Sequence, residues 1–490
     1  MKIKFLSFIA GLWILAGALT SCLESDVEEI VYSPESSITS FSVGTLYRTF
    51  LAKDSLGNDT LVVDSLDLSA YPFAINQLTR EIENKDSLPV GTHIDKVLVN
   101  VTSDTGMVIY RKRTSKEDVG VDTLLTTTDS LDFTLGPIEL KVMTYAGTLG
   151  APYRVKVNVH QQEPDSLQWS QPFERSFVSG PLSHQKALYV GDKLVVFGYA
   201  EDRTPVAEYL SFAYQYAGTV AVQAEPDRWQ RVTLPAGTDP YTAVQLQEAV
   251  CFLAEGTLYV FRPETAAVEP ADLGSVPEGL SHLLAGPACK AGSYLYARST
   301  DGHSWVYATA TGQWTDEGAT DFPVGTDARV VSTVVPVSYN ANFVNVITLS
   351  QNAEAADSAA VVATRLTNDA AWRILKSPAD SLSCPNIVDP TLLYYDQVLY
   401  AFGGKAVNNT YAYEPFTKLF VSANNGLTWE PVETGATFPE DNETFTHYYN
   451  REVAGGYSCT TDKEQFIWIV WTDGTLTRGR VNRLGFQPKW

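Results

Sequence analysis

The sequence predicts an all-β protein, a β-sandwich followed by a β-propeller, and three observations carry that prediction. From Ser37 to about His160, short apolar strands alternate with polar turns at a period of two residues, and no long segment keeps the helical period. Beyond that point apolar hairpins recur, and Trp229, Val268, Trp314, Trp372 and Trp429 close successive units at spacings of about 40 to 60 residues, the length of a four-stranded blade with variable loops. Finally, the strand-like SLQWSQ around Trp169 has no blade before it, whereas the last unit, FIWIVWTDGTLTRGRVNRL, lacks an outermost strand. Pairing the two closes a ring and removes its exposed sheet edges. Six blades fit best, and seven if the stretch from Ala200 to Pro240 holds another.

The chain divides in order into a leader at 1–21, an acidic tether at 22–36, the sandwich at 37–162 and the propeller at 163–490. In the leader, Lys2 and Lys4 precede an apolar run from Phe5 to Leu19 and then Thr20-Ser21-Cys22, which is the layout of a secretory signal peptide. That run is shorter than the roughly 20 residues a permanent membrane helix needs. The tether, LESDVEEIVYSPESS, is too polar to bury a core. Within the sandwich, Pro89 and Gly91 mark a turn or an edge, because proline cannot donate into a ladder.

Composition excludes some partners. The chain carries 57 acidic against 35 basic residues, a net charge of -22, with no Lys/Arg stripe, so it repels phosphate backbones and nucleic acid is excluded. Anionic lipid surfaces are disfavoured for the same reason. Cys251, Cys289, Cys384 and Cys459 lie too far apart for a disulfide framework or a metal knuckle, and are expected to be small buried hydrophobes.

No catalytic residue and no cofactor can be assigned from motifs. A serine elbow, a glycine-rich phosphate loop and an HExxH zinc helix are all missing. Paired carboxylates escape detection by spacing, since propeller sites combine residues from different blades. One constellation does stand out. PLSHQK, GLSHLL and TFTHYY place His184, His282 and His447 at the entry to an inner strand, and SLSCPN places Cys384 there. Convergence at the channel mouth would suit a transition metal; the alternative is histidines that hydrogen-bond backbone between blades. Tyr199, Tyr214, Tyr216, Tyr394, Tyr395, Tyr448 and Tyr449 are candidate faces for sugar stacking.

Several stretches resemble known families. Leu19-Thr20-Ser21-Cys22 resembles the bacterial lipobox, which implies a diacylglycerol on Cys22, and Leu23 in place of Asp removes one inner-membrane retention signal. The acidic tether is similar to that of Bacteroidota surface lipoproteins. The frame SITSFSV, LPVGTHIDKV and IELKVMTYAGTLGAPYRVKVNV resembles immunoglobulin-like modules. The recurring Asp-Ser or Asp-Thr pair resembles a bacterial O-glycosylation acceptor, implicating Ser55, Thr60, Ser65, Ser87, Thr123, Ser130, Ser166, Ser358 and Ser381, although the same pair simply makes good turns. LYAFGG with Tyr411 and Trp429 resembles a kelch blade, and SANNGLTW, with Asn424 in the acidic place, resembles an Asp-box of sialidases. That motif implies a capped hairpin on the outer rim, not a catalytic group. Arg262, in VFRPE, lacks the isoleucine of the sialidase arginine motif and falls in the wrong blade.

The whole chain resembles Bacteroidota outer-membrane lipoproteins of unknown function that join an immunoglobulin-like module to a kelch-like propeller. The expectation is a cell-envelope lipoprotein, on the periplasmic or cell-surface face, held to the membrane by its lipid and binding a glycan or a protein. A propeller glycan hydrolase or lyase, and a structural partner in an outer-membrane complex, are the alternatives.

Overall fold

The computed structural model describes residues 35–53, 59–320, 329–351, 359–404, 414–439, 443–450 and 456–486. Its chain divides into two units, Met1–Gln162 and Glu163–Trp490. Cys22, the leader and the acidic tether up to residue 34 lie outside the described residues.

In the first unit, beside a separate hairpin of Tyr47–Lys53 and Asp59–Ser65, the period-two segments form two larger sheets. One joins Ile38–Val43, Val97–Ser103 and Ser130–Leu131; the other runs in the order Phe73–Asn76, Glu81–Asn84, Tyr153–Lys156, Ile138–Val142, Val108–Lys112, Val121–Leu124. Alternation sets which side chains face inward: Val97 and Val99 are buried while Leu98 between them is exposed. The inward residues of both sheets, among them Ile38, Ile82, Leu140, Tyr153 and Val155, share one core. The sandwich departs from the expected antiparallel pattern at one place. Tyr153–Lys156 inserts beside Glu81–Asn84 and runs parallel to it, so that sheet is mixed. Buried Asn84 ties this junction, donating to the Asp86 and Asn158 carbonyls and accepting from the Asn158 amide. The turn expected at Pro89–Gly91 is present, closed by the Thr92 amide on the Pro89 carbonyl; at Gly91, with φ 81°, a Cβ would lie 2.1 Å from the Thr49 carbonyl oxygen.

The second unit is a six-bladed propeller. Its inner strands are Ser183–Val190, Thr238–Leu246, Leu280–Ala285, Val330–Pro336, Thr391–Tyr395 and Tyr457–Thr461, each opening an antiparallel sheet. The stretch from Ala200 to Pro240 is no seventh blade. It is a long third strand of blade 1, Pro205–Ala217, which carries both Val220–Pro226 and Gln230–Thr233. Two of the repeated hairpins sit one strand further out than inner: AVCFLAEGTLYVF supplies the second and third strands of blade 2, and GSYLYARS the second strand of blade 3. The true inner strand of blade 2, TDPYTAVQL, begins with polar residues and a proline, which hide its period.

The ring closes through its two ends. Leu167–Trp169 pairs antiparallel with Leu476–Val481, Trp169 opposite Gly479, and so completes blade 6. A side chain at Gly479 would meet the Trp169 ring at 2.5 Å. The indole stacks on Phe438 at 5.6 Å, meets Phe445 edge-on at 5.2 Å, and donates to the Thr437 carbonyl.

The Asp-box-like turn lies between the third and fourth strands of blade 5, Phe420–Ser422 and Glu430–Pro431. Asn424 Oδ1 accepts from the Thr428 amide, Ser422 Oγ accepts from the Gly426 amide, and Trp429 Nε1 donates to the Gly426 carbonyl. Trp429 is 2% exposed and packs with Val335, Ile347 and Val362 of blade 4 and Leu399 and Phe420 of blade 5. The motif is therefore an inter-blade wedge. Trp429→Ala is expected to lower stability by about 3–5 kcal/mol, and Asn424→Ala by about 1 kcal/mol, both read from denaturant midpoints.

Candidate functional site

All six inner strands line a cavity of about 270 Å³ on the propeller axis. Lys186 and Arg329 stand at the entry end of its wall, whereas Tyr189, Gln245, Val334, Leu393 and Thr461 line it further along the strands. The strand entries are locally irregular, which re-aims their side chains. Register shifts interrupt pairing between Ser183 and Lys186 in blade 1, Asp239 and Val244 in blade 2, and Leu280 and His282 in blade 3. Bulges of this kind recur beside binding sites. His184 and Asp389 also hold the left-handed conformation, at φ 53° and 49°, a strain that persists only where surrounding structure imposes it.

These irregular entries assemble one cluster. The His184 ring lies 5.6 Å from that of Tyr199 and 5.5 Å from that of Tyr241. Lys186 Nζ donates to the Tyr241 carbonyl at 2.8 Å. The Arg329 guanidinium sits over the faces of Tyr241 and Tyr457, at 5.4 and 5.7 Å, with Asp389 3.9 Å away. Tyr457 hydroxyl donates to the Asp389 carbonyl at 2.7 Å, and Tyr449 hydroxyl reaches Asp389 Oδ2 at 3.5 Å.

The electrostatics follow from enclosure. Desolvation, then the nearby Arg329 charge, brings the Lys186 ammonium down to about 7, against partial support from Asp239. Desolvation likewise lowers His282, helped by Arg298 and Lys186 and opposed by Asp239. Burial raises Asp389 despite Arg329. A lysine whose folded pKa is lowered binds fewer protons than in the unfolded chain between about 7 and 10.5, so its contribution to stability improves as pH rises through that window and is least favourable below it. Lys186→Met is thus expected to stabilise the fold by about 1–3 kcal/mol at pH 6 and by less at pH 9, measured by denaturant titration at both.

Among the residues singled out in the sequence, His184 and His282 are at this mouth, and His282 Nδ1 lies 3.0 Å from Ser281 Oγ. His447 is not at a strand entry: it is exposed on the helix Glu443–Asn450, beside Tyr448. Cys384 is buried in the apolar layer between blades 4 and 5, with Ile347, Ile387, Leu392 and Trp429. The inner strand of blade 5 begins only at Thr391, so the thiol falls short of the axis. Among the described residues no group of three or more His, Cys, Asp or Glu side chains is placed to hold a metal. The four cysteines are free; burial pushes Cys251 up to about 12 and raises Cys384 and Cys459 as well. Cys459 stands in the inner strand of blade 6 and lines the axial cavity, whereas Cys251 is in the second strand of blade 2.

The aromatic candidates scatter. Tyr199 and Tyr449 belong to the mouth. Tyr395 is core, Tyr394 packs between blades 4 and 5, and Tyr448 stacks on Trp471. Tyr214 donates to Asp462, and Tyr216, half exposed, donates to Glu464, both at the blade 6–blade 1 junction. Arg262 ends a third strand and is exposed. Of the Asp-Ser/Thr positions, Thr60, Ser65, Ser130 and Ser381 are exposed and Ser87, Thr123 and Ser166 half-buried, while Ser55 and Ser358, like Tyr411, lie outside the described residues. Sequence reasoning missed Lys186, Asp239, Tyr241, Arg329 and Asp389. The available signal was a charged residue embedded in an apolar inner strand, as in HQKALYV.

Comparison with known proteins places the architecture. No match was found among the curated proteins. Among solved structures, a protein of unknown function from Bacteroides thetaiotaomicron is 13% identical, with a TM-score of 0.40, covering 84% of this chain and 98% of that one. An alpha-L-arabinanase from Penicillium chrysogenum, complexed with arabinobiose, is 8% identical at a TM-score of 0.36, covering 65% of this chain and all of that one. AofleA from Arthrobotrys oligospora is 11% identical at a TM-score of 0.33, over 64% and 86%. These likenesses carry no inference about ligand or chemistry. Family models are specific to the two units: residues 163–489 match the DUF6242 beta propeller domain and residues 41–157 the DUF6242 N-terminal domain, a domain of unknown function. With both of its units matched, in order and over most of its length, the chain belongs to the DUF6242 family.

Proposed function

We propose that this protein is a cell-envelope lipoprotein, anchored through Cys22, whose propeller is a recognition module that takes a glycan at the entry end of its axis. The observation that supports this reading is the mouth itself. Bulged and left-handed entries from several blades gather His184, Tyr241, His282 and Asp389, with Tyr199, around Lys186 and Arg329, which line the axial cavity. Aromatic faces with a few convergent polar groups are what a sugar ring requires. The lipid anchor and envelope location rest on the leader sequence, and no described helix is long and apolar enough to cross a membrane.

A second reading is favoured by one specific feature. Asp239 and Asp389 both stand at this mouth, and burial raises Asp389, the condition of a general acid in glycoside hydrolysis. A glycan array combined with a hydrolysis screen, on the chain from Ser37 onward, separates the two. Binding without turnover supports recognition. Turnover abolished by Asp389→Asn supports the hydrolase, and silence on both contradicts a glycan function altogether.

A further inference from the structure

Arg329 is 8% exposed and makes no hydrogen bond among the described residues. Its Nε is buried without an acceptor, its one carboxylate neighbour, Asp389, stands at 3.9 Å, beyond hydrogen-bond distance, and its plane rests on two tyrosine rings. A guanidinium has five donors in a fixed fork, and buried donors in native proteins are nearly always satisfied. Lys186, whose Nζ donates to the Tyr241 carbonyl as its one hydrogen bond among the described residues, lines the same cavity. Two cationic side chains thus share one lumen, with no anion hydrogen-bonded to either among the described residues. Such a pair is unfavourable by itself, and an incoming anion relieves it.

We propose that Lys186 and Arg329 form an axial site for a single carboxylate group, the acid of a uronic or other acidic sugar. This rests on the reading of the axial mouth as the binding site and names the ligand class. Three features favour a monoanion of this kind. The Arg329 fork matches the two oxygens of a carboxylate. Asp239 and Asp389 flank the site, so a dianion such as phosphate meets two like charges. A cavity of about 270 Å³ accepts a monosaccharide-sized group rather than a folded segment.

The test is calorimetric titration of the chain from Ser37 onward with galacturonate and glucuronate, their oligomers, the matched neutral galactose and glucose oligomers, and free acetate, sulfate and phosphate. Acidic sugars are expected to bind, and Arg329→Gln to weaken them roughly 10- to 100-fold, with Arg329→Lys intermediate because it keeps charge and loses the fork. Asp389→Asn is expected to tighten binding, a gain that a misfolded variant cannot imitate. Affinity should fall as pH rises through about 7, as Lys186 loses its proton; the groups acting on it are the Arg329 and Asp239 charges, with the His282 ring beside it. Acetate binding as tightly as the uronates would assign the site to small free carboxylates and overturn the sugar assignment. Sulfate or phosphate binding more tightly than any carboxylate would overturn the carboxylate. Neutral sugars binding alike, with no effect of Arg329→Gln, would overturn this site while leaving glycan recognition standing. No binding of any sugar would overturn both.

Discussion

Removing residues 163–172 is expected to abolish cooperative folding of the propeller rather than shorten it by one strand. Blade 6 owns only its inner three strands, Tyr457–Thr461, Ile467–Trp471 and Leu476–Val481, and takes its fourth, Leu167–Trp169, from the start of the unit. The deletion exposes the edge of Leu476–Val481 and withdraws Trp169 from Phe438 and Phe445. It also strips the Leu167 side chain from the core shared with Tyr395, Phe416 and Trp471. Loss of buried Leu167 alone costs about 2–5 kcal/mol, a large fraction of the roughly 5–15 kcal/mol by which a domain is stable, and the partly buried Trp169 adds to it. Gly479→Val asks the same question without a deletion, since its side chain must occupy the Trp169 ring. Circular dichroism melts are expected to show a lost or broad, low-temperature transition for both. A deletion that melts like the full chain would show that the ring is closed by something else.

Arg365→Met is expected to destabilise the protein by about 3–5 kcal/mol, while Glu317→Leu with Arg365→Met together restores most of that loss. Arg365 and Glu317 join blades 3 and 4 through two hydrogen bonds, with side chains only 2% and 10% exposed. Arg365 also donates to the Asp369 carbonyl at 2.7 Å and lies 4.5 Å over Tyr296. Removing the guanidinium strands a carboxylate with Ser304 Oγ as its remaining donor. A stranded carboxylate has its folded pKa raised, so the penalty is full above that raised value, shrinks as pH falls through it and disappears below the unfolded carboxylate range. Denaturant titrations of the single variant at pH 8 and pH 5 should therefore show the larger loss at pH 8. Equal loss in the single and double variants would mean that packing, not charge, decides this junction.

Architecture was legible because it depends on local pattern. The orphan strand at Trp169, the unfinished last unit and the turn at Asn424 are each visible in a few consecutive residues, and the structure pairs and packs them accordingly. The inner strand Thr238–Leu246 was not legible, because its polar opening carries the register shift that makes it useful at the mouth. The site was legible only in part. His184 and His282 share a position in their repeats, and both lie near the start of an inner strand. His447 shared the pattern but falls in a helix, where neighbouring Phe445 and Tyr449 supply the buried face. Lys186 and Arg329 line one cavity from blades 1 and 4, and nothing in linear spacing reports that residues some 140 positions apart share it. Cys384 misled because an apolar inter-blade layer and a strand entry look alike in sequence.

The most direct measurement is hydrogen–deuterium exchange of the chain from Ser37 onward with and without the tightest acidic sugar from the titrations. Recognition at the axial mouth predicts slowed exchange at Leu182–Lys186, Thr238–Thr242, Leu280–Leu283 and Asn386–Thr391, the entry segments of four blades, with the outer strands unchanged. Protection confined to the outer rim, to the far ends of the inner strands around Tyr189 and Thr461, or to the first unit would contradict it.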